Sequence, residues 1–130
     1  MAVLVTGAFV EALLWIGIQL AGYKPEAPKK TLPLRQLVRE AFDRHLLSQN
    51  LADLLGRFND IRNDYAHDID YKLDASAVDE CEALLPRESR ESLSAALENM
   101  PAYTVGTQAR LVFSDMTKLT YESMRAALAV

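Results

Sequence analysis

The run Arg62-Asn63-Asp64-Tyr65-Ala66-His67 holds the side chains of this chain best suited to chemistry. Histidine titrates near neutrality and can take or give a proton at a reacting oxygen. An arginine is always charged; it can grip a phosphate through two parallel hydrogen bonds and stabilise added transition-state charge. Asn63 stands one helical turn before His67, where its amide can orient the imidazole or bind a phosphate oxygen. RNA needs no metal for cleavage when its own 2′-hydroxyl attacks the adjacent phosphate. Arg62, Asn63 and His67 are therefore the candidate catalytic residues. The same residues also suit a structural role, with Arg62 in a salt bridge and Asn63 and His67 satisfying frayed carbonyls at a helix end.

These residues must be positioned by a helix. At about 100° per residue, Asn63 and His67 share a face, and Gly56 and Asp60 continue that stripe opposite the apolar positions. Arg62 lies roughly 140° from His67, on the flank of Phe58 and Tyr65. A continuous helix does not aim Arg62 and His67 at one point. Either the helix ends before His67 and the chain bends, or two protomers pool their residues. The long arginine stem can close part of the gap by curling round its helix.

The hexapeptide resembles the Arg-x4-His signature of the HEPN superfamily of helical domains. The resemblance extends over roughly residues 4 to 85. Leu46-Leu47-Ser48-Gln49-Asn50-Leu51 leads through Leu54-Leu55 into Phe58-Asn59-Asp60-Ile61-Arg62-Asn63, as in the mannitol-operon-repressor-like branch, and Gly7 to Leu14 is in the style of the same group. The branch of toxins paired with nucleotidyltransferases carries a tyrosine two positions after the histidine, where this chain has Ile69. The resemblance implies a metal-independent endoribonuclease of toxin, defence or RNA-processing type, with RNA as substrate and an antitoxin or regulatory protein as partner. It also implies a two-fold homodimer that builds its cleft from both copies. The alternative it implies is a non-catalytic regulatory or protein-interaction module like the mannitol-repressor group.

Charge weighs against phosphate binding at the motif. The formal net charge is −4. Residues 23–46 carry six basic and three acidic side chains, whereas residues 47–100 carry five basic and twelve acidic. The motif stands in the acidic part, beside Asp60, Asp64, Asp68, Asp70 and Asp74, so a phosphate backbone is repelled unless basic surface reaches it from elsewhere. The plainer reading of these aspartates is a solvated face and helix caps. The single Cys81 excludes an intrachain disulfide and a cysteine metal site, and suits a reducing cytoplasm. Glycine-rich phosphate loops and paired His or Cys metal spacings are absent, so neither cofactor nor metal is expected.

The supporting elements read as helices throughout, in one domain over residues 1–130. Ala2 to Ala21 is apolar except for Thr6, Glu11 and Gln19. Its length would span a bilayer, but a mid-span glutamate costs about 2.5 kcal/mol or more there, and no small-residue cleavage site follows. It is read as a bundle or interface helix, which makes membrane contact the less favoured expectation. Glu11 then needs a partner, either a neighbouring helix or Arg62.

A second helix is expected from a Thr31 cap with Pro33 in its first turn. Leu34, Leu37, Val38, Ala41, Phe42 and His45 form its inner face, with His45 packed or capping. A third runs from about Gln49 to Ala66. A fourth, capped by Asp74 or Ser76, ends at Leu85-Pro86, and a fifth reaches about Asn99. The last keeps a heptad-like spacing from Val105 to Ala127. The expectation is an all-α bundle of five or six helices that assembles as a homodimer, with the first helix and the Gly56/Asp60/Asn63/His67 stripe near the contact.

Overall fold

The computed structural model describes residues 2–26, 31–67, 72–100 and 102–129. These form six helices and no strand: α1 (Ala2–Leu20), α2 (Leu34–Asp43), α3 (Gln49–His67), α4 (Ala75–Ala83), α5 (Arg87–Glu98) and α6 (Val105–Leu128). The all-α single bundle expected from the periodicity is the fold found. Helices α1 and α6 pack along each other, α2 closes against α1 and α3, and α4 bridges α3 and α6. The core runs through all six. Val10, Leu14 and Ile18 of α1 meet Leu37 and Ala41 of α2, Leu54, Leu55 and Phe58 of α3, and Val112, Phe113 and Met116 of α6.

The rotation of α3 decides where the motif points, and an aromatic pair sets it. Phe58 and Phe113 are both buried, with ring centroids 4.9 Å apart and planes 75° to each other. That edge-to-face contact joins α3 to α6 one turn before Arg62.

Helix ends follow local chemistry, with one departure from the sequence reading, at the start of α2. Asp74 caps α4 as expected, accepting from the Ser76 amide at 3.0 Å. Thr31 does not cap α2; Pro33 stands at that position and its carbonyl accepts from Leu37. The reason is steric: Leu32 precedes a proline and is driven out of helical geometry, so α2 begins only after Pro33. Of the two roles expected for His45, packed or capping, it takes the second: it is exposed and adopts φ 61° at the end of α2. It is the left-handed residue of a Schellman ending, in which the His45 amide bonds Phe42 O and the Leu46 amide bonds Ala41 O, turning Leu46 into the core. α3 begins at Gln49 as expected and stays helical through His67, so of the two alternatives the chain does not bend before the histidine. A cap absent from the sequence reading is Thr104, whose hydroxyl accepts from the Thr107 amide at the start of α6.

Cys81 lies in the core of α4, where burial first and then the charge of Glu80 push its thiol from about 9 up to about 12. The folded protein therefore holds this proton more tightly than the unfolded chain. Stability linked to Cys81 is intact below pH 9 and is lost as pH rises toward 12. Native protein should resist iodoacetamide at neutral pH and react only after denaturation. Urea midpoints measured between pH 8 and 11 should fall less steeply for Cys81→Ala. Rapid alkylation of the native protein would contradict this placement.

Candidate functional site

Arg62 points inward, toward α1. Its guanidinium is ion-paired with Glu11, and both side chains are only partly exposed. The contact spans 51 positions of sequence. Gly7, one turn before Glu11, makes it possible. A Cβ built on Gly7 would lie 2.8 Å from both Cδ and Nε of Arg62, closer than real carbon contacts allow. The arginine stem thus lies against bare α1 backbone, and its head reaches Glu11. Of the two partners considered for Glu11, a neighbouring helix at large or Arg62 itself, the fold selects Arg62.

Asn63 and His67 point elsewhere. Both are exposed, on the side of α3 that faces away from the core. Asn63 lines an open groove of about 620 Å³ together with Gly56, Asn59 and Asp60 of α3, Arg35 and Val38 of α2, and Leu84 beyond α4. Ala52, Asp53 and Arg57 complete its lining. Nothing stands within 4 Å of a Cβ placed on Gly56, so that part of the stripe is open space. His67 is the last residue of α3 and is exposed beyond the groove.

The three candidate residues are therefore not brought together within one chain. Continuous helical geometry keeps Arg62 about 140° from His67, and the Glu11 contact holds the guanidinium on the α1 side. Asn63 and His67 do share a face, one turn apart. Charge in the groove is balanced. Arg35 brings in basic surface from the 23–46 segment, but Asp53 and Asp60 line the same walls. Arg57 is shared with Glu80 of α4 at 3.4 Å, and Asp53 accepts from Gln49 at 2.8 Å. Of the motif's acidic neighbours, Asp68 and Asp70 lie outside the described residues, as does Ile69.

No group of three or more His, Cys, Asp or Glu side chains among the described residues could hold a metal ion. The sequence reading missed Gly7 and Arg35. Neither carries a local signal: a glycine inside an apolar helix and an arginine on an amphipathic one are unremarkable until another element meets them.

The first helix has a dual character. Val3–Leu20 is long and apolar enough to cross a bilayer, by length and composition. In the bundle its inner face, Val3, Gly7, Val10, Leu14, Gly17 and Ile18, is buried against α2, α3 and α6. Its outer face, including Val5, Ala8, Phe9, Ala12, Ile16 and Leu20, is exposed. This surface and the Asn63 groove belong to different sides of the bundle.

Comparison of the chain with protein-family models, with curated proteins and with solved structures finds no match.

Proposed function

We propose that this chain is a non-catalytic helical interaction module, of the regulatory kind that the resemblance to the mannitol-repressor-like branch suggests. One observation carries the reading: the Arg62 guanidinium, the group a ribonuclease would need on the scissile phosphate, is bound to Glu11 against the backbone of α1. Freeing it would leave a partly buried carboxylate without its counter-charge. Its work in this fold is to fasten α3 to α1. Asn63 and His67 then finish an exposed helix end.

A second reading, a metal-independent endoribonuclease with RNA as substrate, is favoured by a different observation. Asn63 and His67 are solvent-facing on one stripe, and Arg35 lines the groove beside Asn63. That reading requires a homodimer across the stripe, so that a second copy brings further cationic surface to His67. It assigns the phosphate-facing role to Arg35 or to a guanidinium from the second copy.

One assay separates the two. Purified protein is incubated with total RNA in EDTA, beside His67→Ala, and its mass in solution is measured by light scattering. The expected result is no cleavage by either protein. Cleavage by the wild type that falls on the order of 10²-fold or more in His67→Ala, from a protein that scatters as a dimer, would replace the first reading with the second.

A further inference from the structure

Between α1 and α6 lies a second groove, of about 520 Å³, on the outer side of the bundle. Val5, Thr6 and Phe9 form one wall, buried Phe113 the floor, and Thr117 and Tyr121 part of the other. The apolar character continues along α1 beyond the groove. Ile16 is 57% exposed and Leu20 70%, so most of each side chain's surface is left in water. Phe9 is 54% exposed and Val5 68%. Together they make a solvent-facing stripe along a helix about 28 Å long.

The charge lining the groove has one sign. Arg110 and Lys118 line the groove, and no carboxylate does. Arg125 continues the row two turns beyond Lys118. The one acid of α1, Glu11, is turned inward onto Arg62. On α6, Asp115 stands one turn before Lys118, near enough to feel its charge but outside the groove lining, and Glu122 lines a different groove, with Leu51, Leu54 and Leu84. The cations recur at intervals of about 12 and 10 Å along the axis.

Building on the interaction-module reading, we propose that the α1/α6 groove binds an amphipathic helix of a partner protein, with its apolar face on Val5, Phe9 and Tyr121 and an acidic flank along Arg110 and Lys118. Shape and charge both select this occupant. A helix about 10 Å across fits a concave channel between two helices, as in helix-in-groove recognition. A second copy docked by a two-fold axis along the groove would bring the Arg110 and Lys118 rows together, because the groove lining offers no carboxylate to meet them.

The probe is a synthetic amphipathic peptide of about 18 residues, long enough to run the length of α1, with Leu and Phe on one face and Glu on one flank. A second peptide carries Lys in place of each Glu. Binding is followed by fluorescence anisotropy against the full chain, its Lys118→Glu variant and its Phe9→Asp variant. Both substituted positions are solvent-facing, and circular dichroism checks that the helices are retained. The expected result is micromolar binding of the acidic peptide, weakened about tenfold or more in each variant and by added salt, with the basic peptide much weaker. Absence of binding, or equal binding of both peptides, overturns the proposal. So does Lys118-dependent sedimentation with vesicles of phosphatidylcholine and phosphatidylglycerol without peptide binding, which assigns the face to a membrane. A dimer abolished by Phe9→Asp assigns it to a second copy. RNA cleavage is scored separately, so loss of peptide binding rejects this partner without touching the interaction-module reading, and cleavage rejects that reading whatever the peptide does.

Discussion

Phe58→Ala should cost about 3–5 kcal/mol of stability, the range for removing a buried aromatic side chain. Phe58 is fully buried and stacks edge-to-face on Phe113, so truncation removes both the area term and the ring contact between α3 and α6. In a domain of this size that corresponds to a melting temperature lower by roughly 10 °C or more. The effect should reach the motif, because this ring fixes the rotation of α3 one turn before Arg62. Hydrogen exchange should therefore quicken in the amides of α3 beyond those of α5, whose packing is against α6. Phe58→Leu should retain most of the stability by keeping volume and apolar area. A melting temperature within a few degrees of wild type for Phe58→Ala would mean that α3 is not anchored here.

The second large effect belongs to Arg62. Arg62→Ala removes the counter-charge of Glu11 and the aliphatic stem packed over Gly7. A fully buried pair broken on one side costs about 3–5 kcal/mol. Both partners here retain a quarter to a third of their exposure, so solvent screening brings the expected cost to about 2 kcal/mol. The double variant Arg62→Ala/Glu11→Ala should be more stable than the sum of the single losses predicts, with a coupling of about 1 kcal/mol. Gly7→Ala is an independent check from the other side. Alanine is favoured over glycine in a helix by about 1 kcal/mol, yet this Cβ would collide with the arginine, so the substitution should destabilise. Gly17→Ala should be tolerated better, because the atom in its way is the terminal methyl of Met124, which can swing aside. Additive single losses for Arg62 and Glu11, with a neutral Gly7→Ala, would show that the guanidinium is not held on α1 and is available to a ligand.

These expectations bear directly on how an Arg-x4-His run is interpreted. Its residue types suit both phosphate chemistry and helix packing, and the distinction is where the arginine goes. A destabilised Arg62→Ala protein and an RNA-inactive wild type would agree on packing. Unchanged stability together with His67-dependent cleavage would agree on chemistry.

What the chain announces in its own order is its helices. Apolar positions recur every three or four residues in α2, α3 and α6, and the Asp74 cap and the stop at Pro86 are local events that need no tertiary partner. The opposition of Arg62 to His67 was legible for the same reason, since it follows from 100° per residue on a helix. Local rules failed where a neighbour intervened. His45 takes a left-handed conformation because the next residue, Leu46, must turn back into the core, where its carbonyl accepts from Ser123 of α6 at 2.7 Å. The destination of Glu11 was open between two partners until α1 and α3 packed at Gly7. The surroundings of Asn63 were not legible at all, since Arg35 and Leu84 come from two other segments of the chain. Periodicity and capping depend on residues within a turn or two, so a sequence carries them openly. A site depends on which faces meet, and only the summed packing of the six helices decides that.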